Sequence, residues 1–427
     1  MKIRFFNARI LSMEENKDIF WGEIEVCDDR ISYIGPERDR IEGSFDREID
    51  CKGNLLMPGF KNAHTHSGMS VFRSLADDLP LDRWLNESIF PREALISAQD
   101  IKWTTKLSVL EYLTSGITGC FDMYLTPESI YEAMEECGFR CAQVSAMNNF
   151  SQSLELQDRM YNFINSKKDS LNTYFVGLHA EYTNSIELIR GVSELVHKYR
   201  TPAFLHLSET KSEVEGCIER YGKTPLALME SEGIFDYGGG IYHGVWLDDN
   251  DMEIMKKRNL FVVTNPSSNL KLASGIAPIK KYLDNKIPVA IGTDGPASNN
   301  CLDMFREMFL VSALAKYKEN DAAVVDAIEV LKMATVNGAL CMNLKDCDVL
   351  TKGKKADIIL IDLNMPNMQP INNIAKNLVY SGSKSNVKMT MVNGKILYEN
   401  GVFNINEDPE KIYSEVTAIR DRLSKNG

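Results

Sequence analysis

The chain is predicted to be an α/β protein, a (β/α)8 TIM barrel with a small β-sandwich domain formed from both termini. Three observations predict it. The middle alternates apolar β-type runs with helical stretches, the two ends share a texture of short strands, and histidines and acids gather where the middle strands end. The expected division is 1–58 for the first part of the β domain, 59–353 for the barrel, and 354–427 for the second part with a terminal helix.

Taken in order, Lys2–Ala8, Ile24–Cys27 and Ile31–Ile34 read as strands, with turn signals at Asp28-Asp29 and Gly35-Pro36. Phe60–His66 opens the barrel. Apolar runs near 117–121, 141–146, 174–178, 203–207, 240–242, 260–263 and 288–291 bring the strands to eight. Helical stretches such as Glu187–Tyr199, Asp249–Arg258 and Val324–Ala339 lie between most of them. Near-continuous apolar strands alternating with helices are the pattern of a parallel sheet covered on both faces. After residue 354 short strands return: Asp357–Ile361, then Met389–Val392 and Lys395–Tyr398 around Asn393-Gly394, a strong hairpin signal. Pro409–Lys425 reads as an amphipathic helix.

Composition narrows the function. A net charge of −12 without a basic stripe opposes phosphate backbones and anionic membranes, so neither nucleic acid nor membrane is expected as a partner. MKIRFFNARI lacks a signal-peptide core, and no run nears the ~18 apolar residues that span a bilayer. Nine scattered cysteines with no CxxC pair argue for reduced thiols and a cytoplasmic location. Cys137 and Cys141, either side of the helix-ending Gly138, read as packing residues.

In such a barrel the reactive groups stand at the C-terminal ends of the strands. The first strand ends in His64-Thr65-His66, whose i and i+2 side chains share a face. The fifth ends in Leu205-His206-Leu207-Ser208-Glu209, the sixth in Tyr242-His243-Gly244 and the eighth in Gly292-Thr293-Asp294-Gly295. Five of the six histidines (His64, His66, His179, His206 and His243) fall at strand ends. Singly, each reads as a packed or hydrogen-bonded residue, and Asp294 as a turn former. Nothing structural requires them together, so the joint pattern indicates a metal site. His197, inside a helix, reads as a surface residue.

These residues resemble the amidohydrolase superfamily, in the branch that holds cytosine deaminase, the triazine hydrolases and methylthioadenosine/S-adenosylhomocysteine deaminase. The resemblance runs from Leu56-Met57-Pro58-Gly59-Phe60 to Ala356-Asp357. His64–Arg73, Asp122-Met123-Tyr124 and Asn265–Leu272 through Gly275–Pro278 look most like the methylthioadenosine/S-adenosylhomocysteine deaminases. The resemblance implies one divalent ion held by His64, His66, His206 and Asp294. Zinc suits these donors, with iron the alternative they admit. Thr173–His179 offers no lysine to bridge a second metal. It further implies that Asp294 takes a proton from the attacking water and that Glu209 protonates the ring nitrogen and then the leaving ammonia. His243 either orients the water or adds a ligand. Trp84, Glu93 and His179 match positions that recognise the nucleoside, Glu93 at the ribose hydroxyls, although Trp84 also reads as a hydrophobic anchor.

Two departures bear on the substrate. Ser145 stands where the family has an arginine, and Asn148–Met160 has no clear match to a second one, with Arg159 nearby. Those arginines would hold the amino-acid carboxylate of S-adenosylhomocysteine. The expected substrate is therefore a smaller adenine nucleoside of the 5′-methylthioadenosine, 5′-deoxyadenosine or adenosine type. Glu181 replaces a usual proline, with no role assigned. The alternatives are a deaminase or chlorohydrolase of a free nucleobase, pterin or triazine, and a non-catalytic barrel relative. Homo-oligomers are usual in such families and are expected here.

Overall fold

Eight parallel strands carry the centre of the molecule: β1 (Phe60–Thr65), β2 (Ile117–Met123), β3 (Arg140–Val144), β4 (Asn172–Gly177), β5 (Ala203–Leu207), β6 (Gly239–His243), β7 (Phe261–Thr264) and β8 (Val289–Ile291). Each pairs with its neighbour in chain order, as short apolar strands joined by helical crossovers must. The ring meets between β8 and β1 through single bonds. The Asp294 N–H donates to the His64 carbonyl at 3.0 Å, and the Thr293 N–H donates to Asn62 Oδ1 at 2.8 Å. The interior is filled, with Phe121, Phe175, Phe204, Tyr242 and Val263 packed together beneath the mouth. The computed structural model describes residues 1–38 and 44–426.

The termini build a second body, a nine-stranded mixed sheet. Its halves join where Leu55–Pro58 pairs in parallel with Lys2–Ile10 on one side and antiparallel with Ile358–Ile361 on the other. Period-two alternation decides the faces. Leu56, Ile358 and Leu360 pack with Ile3, Phe5, Ile24 and Met391 in the sheet's own core. Leu55, Met57, Ile359 and Ile361 join the core that also covers the barrel. Asn393 and Gly394 have φ of 50° and 77°, both positive as a type I′ hairpin turn requires.

Two elements differ from their sequence expectation. The helix expected over Val324–Ala339 starts only at Ala327, because Asp326 caps it by accepting the Glu329 N–H at 3.0 Å. The first barrel strand ends at Thr65, and its register against β2 shifts between Asn62 and Thr65. That irregularity spans His64 and ends just before His66, where a bulge re-aims side chains.

A buried ionic cluster ties the two bodies together at the floor of the barrel. Asp357 accepts Arg140 Nε and Nη2 at 2.8 and 3.0 Å and the Asn393 N–H at 2.8 Å, with Lys61 Nζ 3.6 Å away. Burial works against its ionisation, but the Arg140 and Lys61 charges hold the Asp357 carboxyl down at about 2. Removing one member of such a cluster leaves an uncompensated buried charge. Asp357→Ala is expected to destabilise the fold by about 3–5 kcal/mol, read as a lowered urea midpoint, with activity retained at low temperature.

Candidate active site

The mouth of the barrel is shaped by backbone that leaves its strands abruptly. Ser208, His243 and Asp294, at or just past the ends of β5, β6 and β8, have φ of 55°, 70° and 61°. Non-glycine residues in this region cost energy that the surroundings must offset, and they gather at functional sites. Gly292 permits the close approach of β8 to β1. A Cβ there would stand 2.7 Å from His64 Cβ and 2.5 Å from Asn265 Oδ1.

Four sequence-predicted residues converge. His64, His66, His206 and Asp294 each offer one ligand-type atom, all within 4.8 Å of one another. His206 Nε2 lies 3.1 Å from His64 Nε2 and 3.3 Å from His66 Nε2. Asp294 Oδ1 is 3.1 Å from His66 Nε2 and 3.5 Å from His64 Nε2. Carbonyls fix two tautomers. His206 Nδ1–H donates to the His179 carbonyl at 2.8 Å and His66 Nδ1–H to the Met123 carbonyl, which leaves their Nε2 lone pairs facing the centre. Burial pushes His64 down to about 3, and burial with the neighbouring imidazoles holds His206 well below its ordinary range. Burial opposes the charge on Asp294, yet the adjoining His64 and His66 rings hold its carboxyl well below the usual carboxylate range. Converging imidazole lone pairs beside one carboxylate repel one another unless a cation lies between them, and so the donor set fits a divalent ion.

Glu209 and His243 face each other across the same site, with Oε2 to Nε2 at 3.7 Å. Glu209 is buried, accepts the Ser274 hydroxyl at 3.0 Å, and is pushed up from the usual carboxylate range by burial. His243 Nδ1–H donates to Asn269 Oδ1 at 2.7 Å, leaving Nε2 as an acceptor. Asp294 Oδ2 accepts the hydroxyls of Ser268 at 2.5 Å and Ser298 at 3.0 Å. Tyr242 stacks on the His64 ring with centroids 3.8 Å apart and so limits its rotation. Asn269, Ser268, Ser298 and Tyr242 were not singled out from sequence as site residues.

One cavity is lined by His66, His206, Glu209, His243 and Asp294 together with the predicted substrate residues Trp84, Glu93 and His179. Trp84 and Glu93 lie on the helical excursion after β1, where Trp84–Ile89 forms a π-type turn, a geometry frequent at functional sites. His179 lies against the His206 ring, centroids 4.8 Å apart, and bonds Thr183 Oγ1 at 3.1 Å. Ser145 is buried just past β3 and is not among the residues lining this cavity. Arg159 is at the surface, paired with Glu128 at 2.8 Å. His197 is also at the surface, 2.9 Å from Asp236.

The pattern of the amidohydrolase family matches residues 55–397. The chain is 40% identical, over 97% of its length and 97% of the relative's, to a 5-methylthioadenosine/S-adenosylhomocysteine deaminase of Caldanaerobacter subterraneus subsp. tengcongensis. A deaminase of the same name from Thermococcus onnurineus is 39% identical over 90% of this chain and 91% of its own. The chain belongs to the amidohydrolase family. Among solved structures, a zinc-bound adenosine deaminase from Xanthomonas campestris superimposes with a TM-score of 0.92 at 29% identity, covering 99% of this chain and 98% of its own. An atrazine chlorohydrolase from Arthrobacter aurescens shares the fold, with a TM-score of 0.89 at 21% identity over 98% of this chain and all of its own.

Amidohydrolase chemistry needs the strand-end groups held still, and here three buried carboxylates brace the backbone beside them. Asp122 accepts the Ser67 N–H at 3.1 Å and its hydroxyl, one residue past His66. Glu213 accepts the N–H groups of Ser208 and Glu209, both at 2.8 Å. Glu307 accepts the Ser267 N–H at 3.0 Å and Asn299 Nδ2 at 2.8 Å, beside the Ser268 that holds Asp294. Burial pushes Asp122 up to about 6 and both glutamates up to about 7. Glu213→Gln can satisfy only one of its two N–H groups. We expect kcat to fall about 10–100-fold with KM little changed, the range found for groups that orient a site from behind.

Proposed function

We propose that the protein is a metal-dependent hydrolytic deaminase of adenine nucleosides, of the 5′-methylthioadenosine, 5′-deoxyadenosine or adenosine type, releasing ammonia and the inosine analogue. The observation that carries this reading is the buried Glu209 carboxyl set against His243 and the imidazole–carboxylate cluster, in one cavity with Glu93 and Trp84. The names of the related deaminases support it.

His64, His66, His206 and Asp294 would hold one divalent ion, zinc by donor type with iron as the alternative. When bound, such an ion brings the deprotonation of water into the neutral range. Water attacks the ring carbon that bears the amino group. Asp294 Oδ2 and His243 Nε2 are the acceptors at that wall for the proton it gives up. Glu209, its carboxyl pushed up from the usual range by burial, donates to the adjacent ring nitrogen, then takes the remaining proton of the added water and passes it to departing ammonia. Glu93 receives the ribose hydroxyls, Trp84 packs on the nucleoside, and His179 contacts the base. Chloride leaves a triazine without a proton, so dechlorination would use only the ring-nitrogen half of this task.

We read the chain as barrel 59–353 with its β domain split between 1–58 and 354–427, working as a cytoplasmic homo-oligomer on a free small molecule. All nine cysteines are free, and no helix among the described residues is long and apolar enough to cross a membrane. The test is ammonia release by metal-loaded protein from adenine nucleosides, free adenine, guanine, cytosine and a chlorotriazine. Turnover confined to the nucleosides is expected. Turnover of only a free base or the triazine would overturn the substrate assignment.

A further inference from the structure

The three groups that handle protons at this site are held by one segment of chain. β7 runs into the short helix Pro266–Lys271 and the turn that follows it. Ser268 Oγ donates to Asp294 Oδ2 at 2.5 Å, and Asn269 Oδ1 accepts His243 Nδ1–H at 2.7 Å. Ser274 Oγ donates to Glu209 Oε1 at 3.0 Å. The turn is fixed by its own bonds. The Ser274 N–H donates to the Asn269 carbonyl at 2.8 Å, and the Ser274 carbonyl accepts Trp246 Nε1–H, from the loop after β6, at 2.8 Å. Ala273, just before it, takes a φ of 55°, which a non-glycine residue keeps only where its surroundings impose it.

The Ser274 hydroxyl decides which oxygen of Glu209 bears the acid proton. Ser274 is buried, and among the described residues Glu209 is the one hydrogen-bond partner of its hydroxyl. A buried hydroxyl that accepted from a protonated Oε1 would leave its own proton without an acceptor, a cost that donation to Oε1 avoids. Oε1 is therefore the acceptor oxygen, and the proton of the neutral carboxyl belongs on Oε2. That oxygen faces His243 Nε2 at 3.7 Å, on the side of the imidazole–carboxylate cluster.

We propose that Ser274 is a positioning residue for the deamination, its hydroxyl holding Oε1 of Glu209 as an acceptor so that Oε2 alone carries protons. This rests on the nucleoside-deaminase reading and adds to it the residue that orients the acid. Oε2 gives its proton to the ring nitrogen, takes the remaining proton of the added water and passes that to departing ammonia. The proton taken up earlier at the Asp294–His243 wall then returns to Oε2 and resets the acid. Ser274 keeps its own proton throughout, and its bond to Oε1 persists in both charge states of Glu209.

The experiment is a double-mutant cycle on turnover of 5′-methylthioadenosine, crossing Ser274→Ala with Glu209→Gln. Ser274→Ala should lower kcat about 10–100-fold, as loss of an orienting partner does, with KM within about twofold and metal content unchanged. Glu209→Gln has no acid proton to place, so in that background the same change should lower kcat by less than about twofold. Ser274→Thr keeps a hydroxyl and should restore most of kcat. Trp246→Phe removes the N–H on the Ser274 carbonyl and serves as an independent arm if Ser274→Ala folds poorly. It should lower kcat by less than Ser274→Ala does, and again only with Glu209 present. Full kcat in Ser274→Ala, or losses that multiply in the double variant, would overturn the proposal and leave Glu209 as the acid. Full kcat in Glu209→Gln, or a wild type that releases no ammonia from this nucleoside, would overturn the underlying reading and the proposal with it.

Discussion

Glu209→Gln is expected to lower kcat about 10²–10⁴-fold, the usual contribution of a positioned general acid, while metal content stays unchanged. The geometry separates those two outcomes. Glu209 lies outside the four-residue donor set and reaches it only across His243, at 3.7 Å. Glutamine preserves the bond from Ser274 and the side-chain volume, so the loss would report on the missing proton alone. A variant with full activity would remove Glu209 from the chemistry. One that lost metal in parallel would make it a ligand.

His206→Ala is expected to abolish both stoichiometric metal and ammonia release, and metal analysis beside the activity assay checks it. His206 Nε2 lies 3.1 and 3.3 Å from the Nε2 atoms of His64 and His66, so its removal opens the cluster at its centre. A thermal consequence follows by linkage. Metal that binds only the folded chain stabilises it by about 4.1 kcal/mol when present at 1,000 times its Kd. A chelator should therefore lower the melting temperature of the wild type and leave that of His206→Ala unmoved.

Much of this site was legible in the sequence because its residues stand at strand ends, where spacing and rarity both speak. Six histidines in 427 residues are too few to cluster by chance at β1, β5 and β6. The bracing carboxylates Asp122, Glu213 and Glu307 were not legible, since their partners are mostly backbone N–H groups that carry no residue identity. The same holds for Asn269 and Ser268, which reach His243 and Asp294 only through the fold. Arg47–Asp50, Leu55–Pro58 and Val402–Phe403 are too short to show an alternation, and pairing with neighbours makes them strands.

Replacement of an amino group on an adenine nucleoside by water is read from turnover of 5′-methylthioadenosine by zinc-loaded protein in 18O-labelled water, with ammonia and the labelled product measured together. One ammonia and one labelled oxygen on the purine ring per product are expected, with the glycosidic bond intact and the metal-free protein silent. Release of free adenine, or a product without ring label, would contradict it.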